Sequence, residues 1–213
     1  MFSGKVVCGA ALIALGVTAA HAADSEGSKI VRDGNGKGAT ACGSCHGMDG
    51  AGMAAAGFPR LAGQSADYLA KQLHDMQQGL RSDAVMQPMA KALNDKEIIA
   101  VAKYYADQPV TSSKESAASA DLLKQGELLA KTGNWSKGVP ACFQCHGEQG
   151  TGVGMHFPAI APQSANYLAN QLRNWKSGSR HNDPQDLMKT VAERLSDEEA
   201  AAVAAYLASL GAR

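Results

Sequence analysis

Two five-residue stretches, Cys42-Gly43-Ser44-Cys45-His46 and Cys142-Phe143-Gln144-Cys145-His146, stand 100 positions apart in a chain of 213 residues. Two thiols three positions apart lie on one side of a helical turn, where each can add to a vinyl group of the same porphyrin and form a thioether. The histidine that follows is then held beneath the iron and supplies its proximal nitrogen. C-x-x-C-H is the spacing of a c-type haem attachment site. Cys42, Cys45, Cys142 and Cys145, with His46 and His146, therefore predict two covalently bound haems c. A four-cysteine zinc site or a redox dithiol also uses C-x-x-C pairs. Neither accounts for a histidine directly after both pairs. Zinc ribbons rarely separate their halves this far, and the pattern lacks the βαβ context of a thioredoxin-like dithiol.

The elements that must position these groups occur twice. Phe58-Pro59-x-Leu61 matches Phe157-Pro158-x-Ile160, and Gln64 to Leu73 matches Gln163 to Leu172 with Ser, Ala, Tyr, Leu and Gln repeated in register. Gly79-x-Arg81 matches Gly178-x-Arg180, and Leu93-x-Asp95-x-Glu97 matches Leu195-x-Asp197-x-Glu199. Matches this dense indicate an internal duplication. Middle helices are expected from Ala66 to Gln78, capped by Ser65 and stopped by Gly79, and from Ala165 to Ser177, capped by Ser164 and stopped by Gly178. The last helix of each half opens on a capping box, Asn94-x-x-Glu97 and Ser196-x-x-Glu199. A helix before the haem motif is clear over Asp121 to Lys131, while its counterpart near Ser28 to Arg32 is short and poorly patterned. No alternating strand pattern occurs, so the fold class is all-α.

Lys5, the apolar run Val6 to Ala20 and Ala20-His21-Ala22 read as a signal peptide with a small-x-small cleavage site. The run is too short to span a bilayer comfortably. Cys8 leaves with it, and every remaining cysteine belongs to a haem motif. The expected organisation is a signal peptide over 1–22, a haem domain over 23–108, a linker over 109–120 and a second haem domain over 121–213. The 20 basic and 20 acidic side chains balance, and losing Lys5 leaves a formal charge of −1. That balance excludes a nucleic-acid-binding footprint, and an exported soluble protein is expected.

These residues resemble a known family. C-x-x-C-H, a Pro-bearing loop, a middle helix, a Met-bearing loop and a final helix resemble the class I cytochrome c fold, and two such domains in tandem resemble the cytochrome c4 family. The family's F-P-x-L-x-x-Q, Y-x-x-x-Q and L-S-D features stand at Phe58 to Gln64, Tyr68 to Gln72 and Leu93 to Asp95. They recur at Phe157 to Gln163, Tyr167 to Gln171 and Leu195 to Asp197. The resemblance implies a periplasmic di-haem electron carrier that can be held near the membrane through its partners.

It also implies a methionine as the sixth iron ligand, which raises the reduction potential. Met188 is the natural choice in the second half. In the first half Met86 and Met89 compete: Met89 follows Pro88, whereas Met86 stands seven residues before Leu93 as Met188 stands seven before Leu195. The repeat favours Met86, with Met89 as its rival. Met48, Met53, Met76 and Met155 are read as packing residues. The backbone carbonyls of Pro59 and Pro158 are expected, by resemblance, to accept from the proximal histidines. His74, His156 and His181 lack repeat partners and are read as surface or loop residues. Trp175 has two readings, packing or donation to a haem propionate.

Fully ligated iron has no open site, so the expected function is electron transfer without catalysis. The donor is a quinol-oxidising complex or dehydrogenase and the acceptor a terminal oxidase, each met through an apolar patch at an exposed haem edge. The rivals are a di-haem peroxidase, a thiosulfate-oxidising cytochrome, and the dedicated electron-accepting subunit of a periplasmic dehydrogenase. A di-haem enzyme needs a missing methionine, a third cysteine or a basic cluster near one haem, and none is legible in the sequence.

Overall fold

The computed structural model describes residues 25–111 and 118–211. The expected signal peptide and part of the linker lie outside them. The first half carries α1 (Glu26–Asp33), α2 (Gly43–His46), α3 (Ala66–Gln78), α4 (Met86–Lys91) and α5 (Asp95–Ala106). The second repeats the order with α6 (Ala120–Thr132), α7 (Cys142–His146), α8 (Ala165–Ser177), α9 (Leu187–Arg194) and α10 (Asp197–Ser209). Among the described residues the only β-type pairing is isolated bridges.

In each half the first helix crosses the last. A β-carbon at Gly27 would run into the Ala100 carbonyl, and one at Gly126 into the Ala202 carbonyl. Glycine at these crossings lets α1 lie against α5 and α6 against α10. The α1 helix is longer than its pattern suggested because its stability comes from this contact, with Ser25 accepting from the Ser28 N–H at 3.2 Å as its cap. Ile30, Val31, Leu69, Leu93, Ile98, Val101 and Tyr105 form the first core. Leu129, Val139, Leu195, Val203 and Leu207 form the second.

The middle helices have the expected bounds, with Ser65 and Ser164 capping and Gly79 and Gly178 in the left-handed conformation at their ends. Both capping boxes are formed. The methionine segments are short helices where loops were expected. Asp83 Oδ1 accepts from the Met86 N–H at 2.8 Å, and Asp183 Oδ2 from the Met188 N–H at 2.8 Å. Pro88 falls in the first turn of α4, where its missing N–H has no intrahelical partner to lose.

The two halves dock through the residues that recur in both. Gln163 Oε1 accepts from the Arg60 N–H and Nε2 donates to the Arg60 carbonyl, both at 3.0 Å. Gln64 does the same to Ala159, at 3.1 and 2.7 Å. The Ser82 N–H donates to the Ser179 carbonyl and the His181 N–H to the Leu80 carbonyl, each at 3.2 Å. Contacts that exchange partners in this way make the interface reciprocal, like that of a symmetric dimer.

Candidate haem sites

Each attachment motif forms a short helix whose histidine ends inside the protein. His46 and His146 are buried. His46 Nδ1 lies 3.0 Å from the Pro59 carbonyl and His146 Nδ1 lies 2.8 Å from that of Pro158. A carbonyl can only accept, so Nδ1 carries the proton and Nε2 keeps its lone pair for a metal. Burial holds both imidazoles below their ordinary pKa, with the proline carbonyls pulling the other way. Each ring is therefore neutral and ready to ligate.

One hydrogen-bonding scheme places both proline carbonyls. Gly50 O accepts from the Leu61 and Ala62 N–H groups at 2.8 and 3.0 Å, and Gly150 O from those of Ile160 and Ala161 at 2.8 and 3.1 Å. The Gly52 and Gly152 N–H groups close the loop onto the histidine carbonyls at 2.9 and 2.7 Å. Gly52, at φ +78°, passes so close to Pro59 that a β-carbon would lie 2.6 Å from its carbonyl carbon.

Cys42, Cys45, Cys142 and Cys145 form no disulfide and stand in the same short helical turns as these histidines. Burial raises the Cys42 pKa and pushes that of Cys142 up to about 11. Among the described residues no group of three or more His, Cys, Asp or Glu side chains is arranged to hold a metal ion.

The cysteines and histidines line a cavity of about 940 Å³ that runs through both halves. That is near the top of the roughly 300–1,000 Å³ range of ligand sites. Met86, Met89 and Met188 line it too and are half-buried. Met86 and Met188 share the same aspartate-anchored position. Met89 lies one helical turn on, where its sulfur accepts from Thr40 Oγ1 at 3.5 Å. Its counterpart Val191 packs against the second core.

Among the described residues two buried side-chain donors lack a protein partner, Arg60 Nη2 and Trp175 Nε1. Both residues line the cavity. A haem brings two carboxylates, the acceptors such donors require, so the lining fits the group its cysteines would attach.

Met76 is buried, but Met48, Met53 and Met155 are 43%, 42% and 39% exposed and are not core residues. Arg81 and Arg180, which stand in different halves of the sequence, come together along the cavity, where both donate to Gln72 and Gln171. Among the lone histidines, His156 and His181 are exposed and His74 is half-buried beside Gln77.

The family model "Cytochrome c" matches residues 125–211, and "Cytochrome C oxidase, cbb3-type, subunit III" matches residues 29–104. Cytochrome c4 of Thiocapsa roseopersicina is 42% identical over 79% of this chain and 86% of its own length. This chain belongs to the cytochrome c4 family. As a member it is a di-haem c-type cytochrome with two tandem cytochrome c domains, and it carries electrons. A thiosulfate dehydrogenase electron acceptor of Stutzerimonas stutzeri (strain A1501) is 48% identical over 90% of this cytochrome and 88% of its own length. The thiosulfate dehydrogenase of Marichromatium purpuratum superposes with a TM-score of 0.81 at 40% identity, covering 87% of this cytochrome. This cytochrome spans 40% of that chain. Its partners are redox proteins, and among the described residues no helix is long and apolar enough to cross a membrane.

Proposed function

We propose that this cytochrome accepts electrons from a periplasmic thiosulfate dehydrogenase and passes them toward a terminal oxidase. The observation that carries this reading is the 48% identity to a thiosulfate dehydrogenase electron acceptor over most of both chains, against 42% for a cytochrome c4. The domains run over 23–108 and 121–213, joined by a linker over 109–120, behind a signal peptide over 1–22 that directs export.

When bound, each haem supplies a one-electron ferric–ferrous couple. His46 and Met86 would hold one iron, and His146 and Met188 the other. The proline carbonyls fix each imidazole through Nδ1 and make it a stronger donor. With a histidine and a methionine held to each iron, the protein would offer no place there for a substrate and would serve as an electron carrier. Val85 and Leu187 precede the two methionines and are 55% and 49% exposed at the cavity mouth. They give each domain an apolar edge for a brief encounter with a partner, as small redox interfaces use.

The test is stopped-flow mixing of the oxidised holoprotein with thiosulfate and a thiosulfate dehydrogenase. Reduction of both haems at a rate that saturates with enzyme supports the reading. Reduction no faster than that of an unrelated cytochrome c rejects it and directs attention to a quinol-oxidising donor.

A further inference from the structure

Beside the proximal histidines the two halves differ where duplication would make them alike. Gly50 and Gly150 are equivalent positions whose carbonyls hold the histidine-orienting loops, and each lies against an aromatic ring. A β-carbon at Gly50 would stand 2.8 Å from Tyr105 Cδ1, and one at Gly150 would stand 3.3 Å from Phe143 Cε1. Tyr105 comes from α5, where the second half has Leu207 in α10. Phe143 comes from α7, where the first half has Gly43 in α2. One place in the fold is thus filled from two different elements, with the bulk exchanged between them.

The exchange conserves packing but not polarity. Tyr105 is 3% exposed, its ring meets that of His46 edge-on with centroids 6.4 Å apart, and its hydroxyl donates to the Gly47 carbonyl at 3.2 Å. Gly47 O also accepts from the Gly50 N–H at 3.2 Å. In the second half Gly147 O accepts from the Gly150 N–H at 3.0 Å, and neither Leu207 nor Phe143 has a side-chain donor to add. Burial is the main cause that pushes the Tyr105 pKa well up, so its hydroxyl keeps its proton. Packing alone needs no hydroxyl here, since Phe143 and Leu207 close the same space without one.

We propose that Tyr105 makes the two haems unequal by raising the reduction potential of the first. Hydrogen bonding around the iron ligands is one of the levers that set a haem's potential, and it acts strongly where the local dielectric is low. The Tyr105 O–H turns its positive end toward the carbonyl that follows His46 and offsets that carbonyl's negative end, which otherwise favours ferric iron. Leu207 leaves the Gly147 carbonyl without this offset. Tyr105 acts through Gly47 and His46, so it is a positioning residue and not a ligand. Its effect belongs to the carrier itself and is the same whatever protein donates the electrons.

The experiment is a potentiometric titration of the full-length holoprotein and of Tyr105→Phe, with proton NMR of partly reduced samples telling the two haems apart. Phenylalanine keeps the ring and removes the donor. The first wave is expected to move toward the ferric form by about two- to tenfold in the reduction equilibrium, the worth of one hydrogen bond, while the second stays. Phe143→Gly/Leu207→Tyr builds the first-half pair into the second half and is expected to move the second wave toward the ferrous form by a similar factor. Should that double variant fail to fold, the Tyr105→Phe titration decides by itself. Equal movement of both waves in Tyr105→Phe, or movement of the first toward the ferrous form, overturns the proposal. So does a Tyr105→Phe protein with lowered unfolding free energy and unchanged potentials, since Tyr105 would then serve packing alone.

Discussion

Gln163 occupies both hydrogen-bonding positions of the Arg60 backbone, accepting from its N–H and donating to its carbonyl at 3.0 Å each. A single amide side chain thereby replaces the neighbour a strand would have had. Gln64 repeats the clasp on Ala159 in the opposite direction. Removing Gln163 strands both backbone groups of Arg60 and the Ser164 N–H, which donates to the same Oε1 at 3.0 Å, each buried group costing about 1–3 kcal/mol.

Gln163→Ala is therefore expected to lower unfolding free energy by about 2–4 kcal/mol, read by denaturant titration of the holoprotein. Gln144→Ala, on the exposed side of α7, serves as control and should stay within about 0.5 kcal/mol. Equal, small losses in the two variants would show that the clasp does not hold the domains together.

Met86 and Met89 make opposite predictions. Met86→Ala opens one of the two irons, so the reduced protein binds carbon monoxide at one haem and loses part of the red charge-transfer band of methionine-ligated ferric haem. Met89→Leu leaves both haems closed, because Met89 answers to Val191 in the other half and packs beside Thr40. If Met89→Leu opened a haem and Met86→Ala did not, the ligand assignment would be reversed.

Gly52 tests the carbonyl that orients His46. Its φ of +78° costs a side-chain-bearing residue about 1–2 kcal/mol. A β-carbon there would also lie 2.6 Å from the Pro59 carbonyl carbon and 2.7 Å from the Arg60 nitrogen. Gly52→Ala must push the loop from His46 and weaken its Nδ1 hydrogen bond. A less basic imidazole stabilises ferric iron less, so one wave should rise and the other stay. Gly152→Ala should move the other wave. A destabilised protein with both potentials unchanged would limit these glycines to a packing role.

What was legible beforehand was local. Both attachment motifs, the Ser65 and Ser164 caps, the Gly79 and Gly178 stops and the two capping boxes act over three or four residues, a range that spacing encodes. The α1 helix was underestimated because it shows few apolar positions and depends on Gly27 meeting α5. The exposure of Met48, Met53 and Met155 was misjudged because a methionine fits core and surface alike. The arginine pair joins Arg81 and Arg180, 99 positions apart, beyond any sequence window used to read local structure. One signal for it was present. Gln64, Tyr68, Gln72 and Arg81 recur in the second half as Gln163, Tyr167, Gln171 and Arg180, and polar identity of this kind is not needed to bury a core. Repeated polar positions are what a reciprocal interface requires.

Acid stability offers the last test, through a pair of carboxylates that also recur. Glu97 accepts from the Asn94 N–H at 2.9 Å, from Asn35 at 3.3 Å and from Lys37 at 3.3 Å. Glu199 accepts from Lys137 and the Ser196 N–H at 2.8 Å and from Asn134 at 3.2 Å. Each ties the loop before the haem motif to the start of the last helix. The Asn94 N–H is the main cause holding Glu97 below the usual 4.5, and Lys137 is the main cause for Glu199. A carboxylate with a lowered folded-state pKa adds stability that is complete above 4.5 and is lost as pH falls through the lowered value. Wild-type stability should accordingly fall between about pH 5 and pH 2. Glu97→Gln should be less stable at neutral pH, lose less on acidification, and converge with wild type at the acid end. Glu97→Gln/Glu199→Gln should flatten the profile further. Denaturant titrations across this range read the slopes directly, and profiles that stay parallel would show that neither carboxylate titrates with folding.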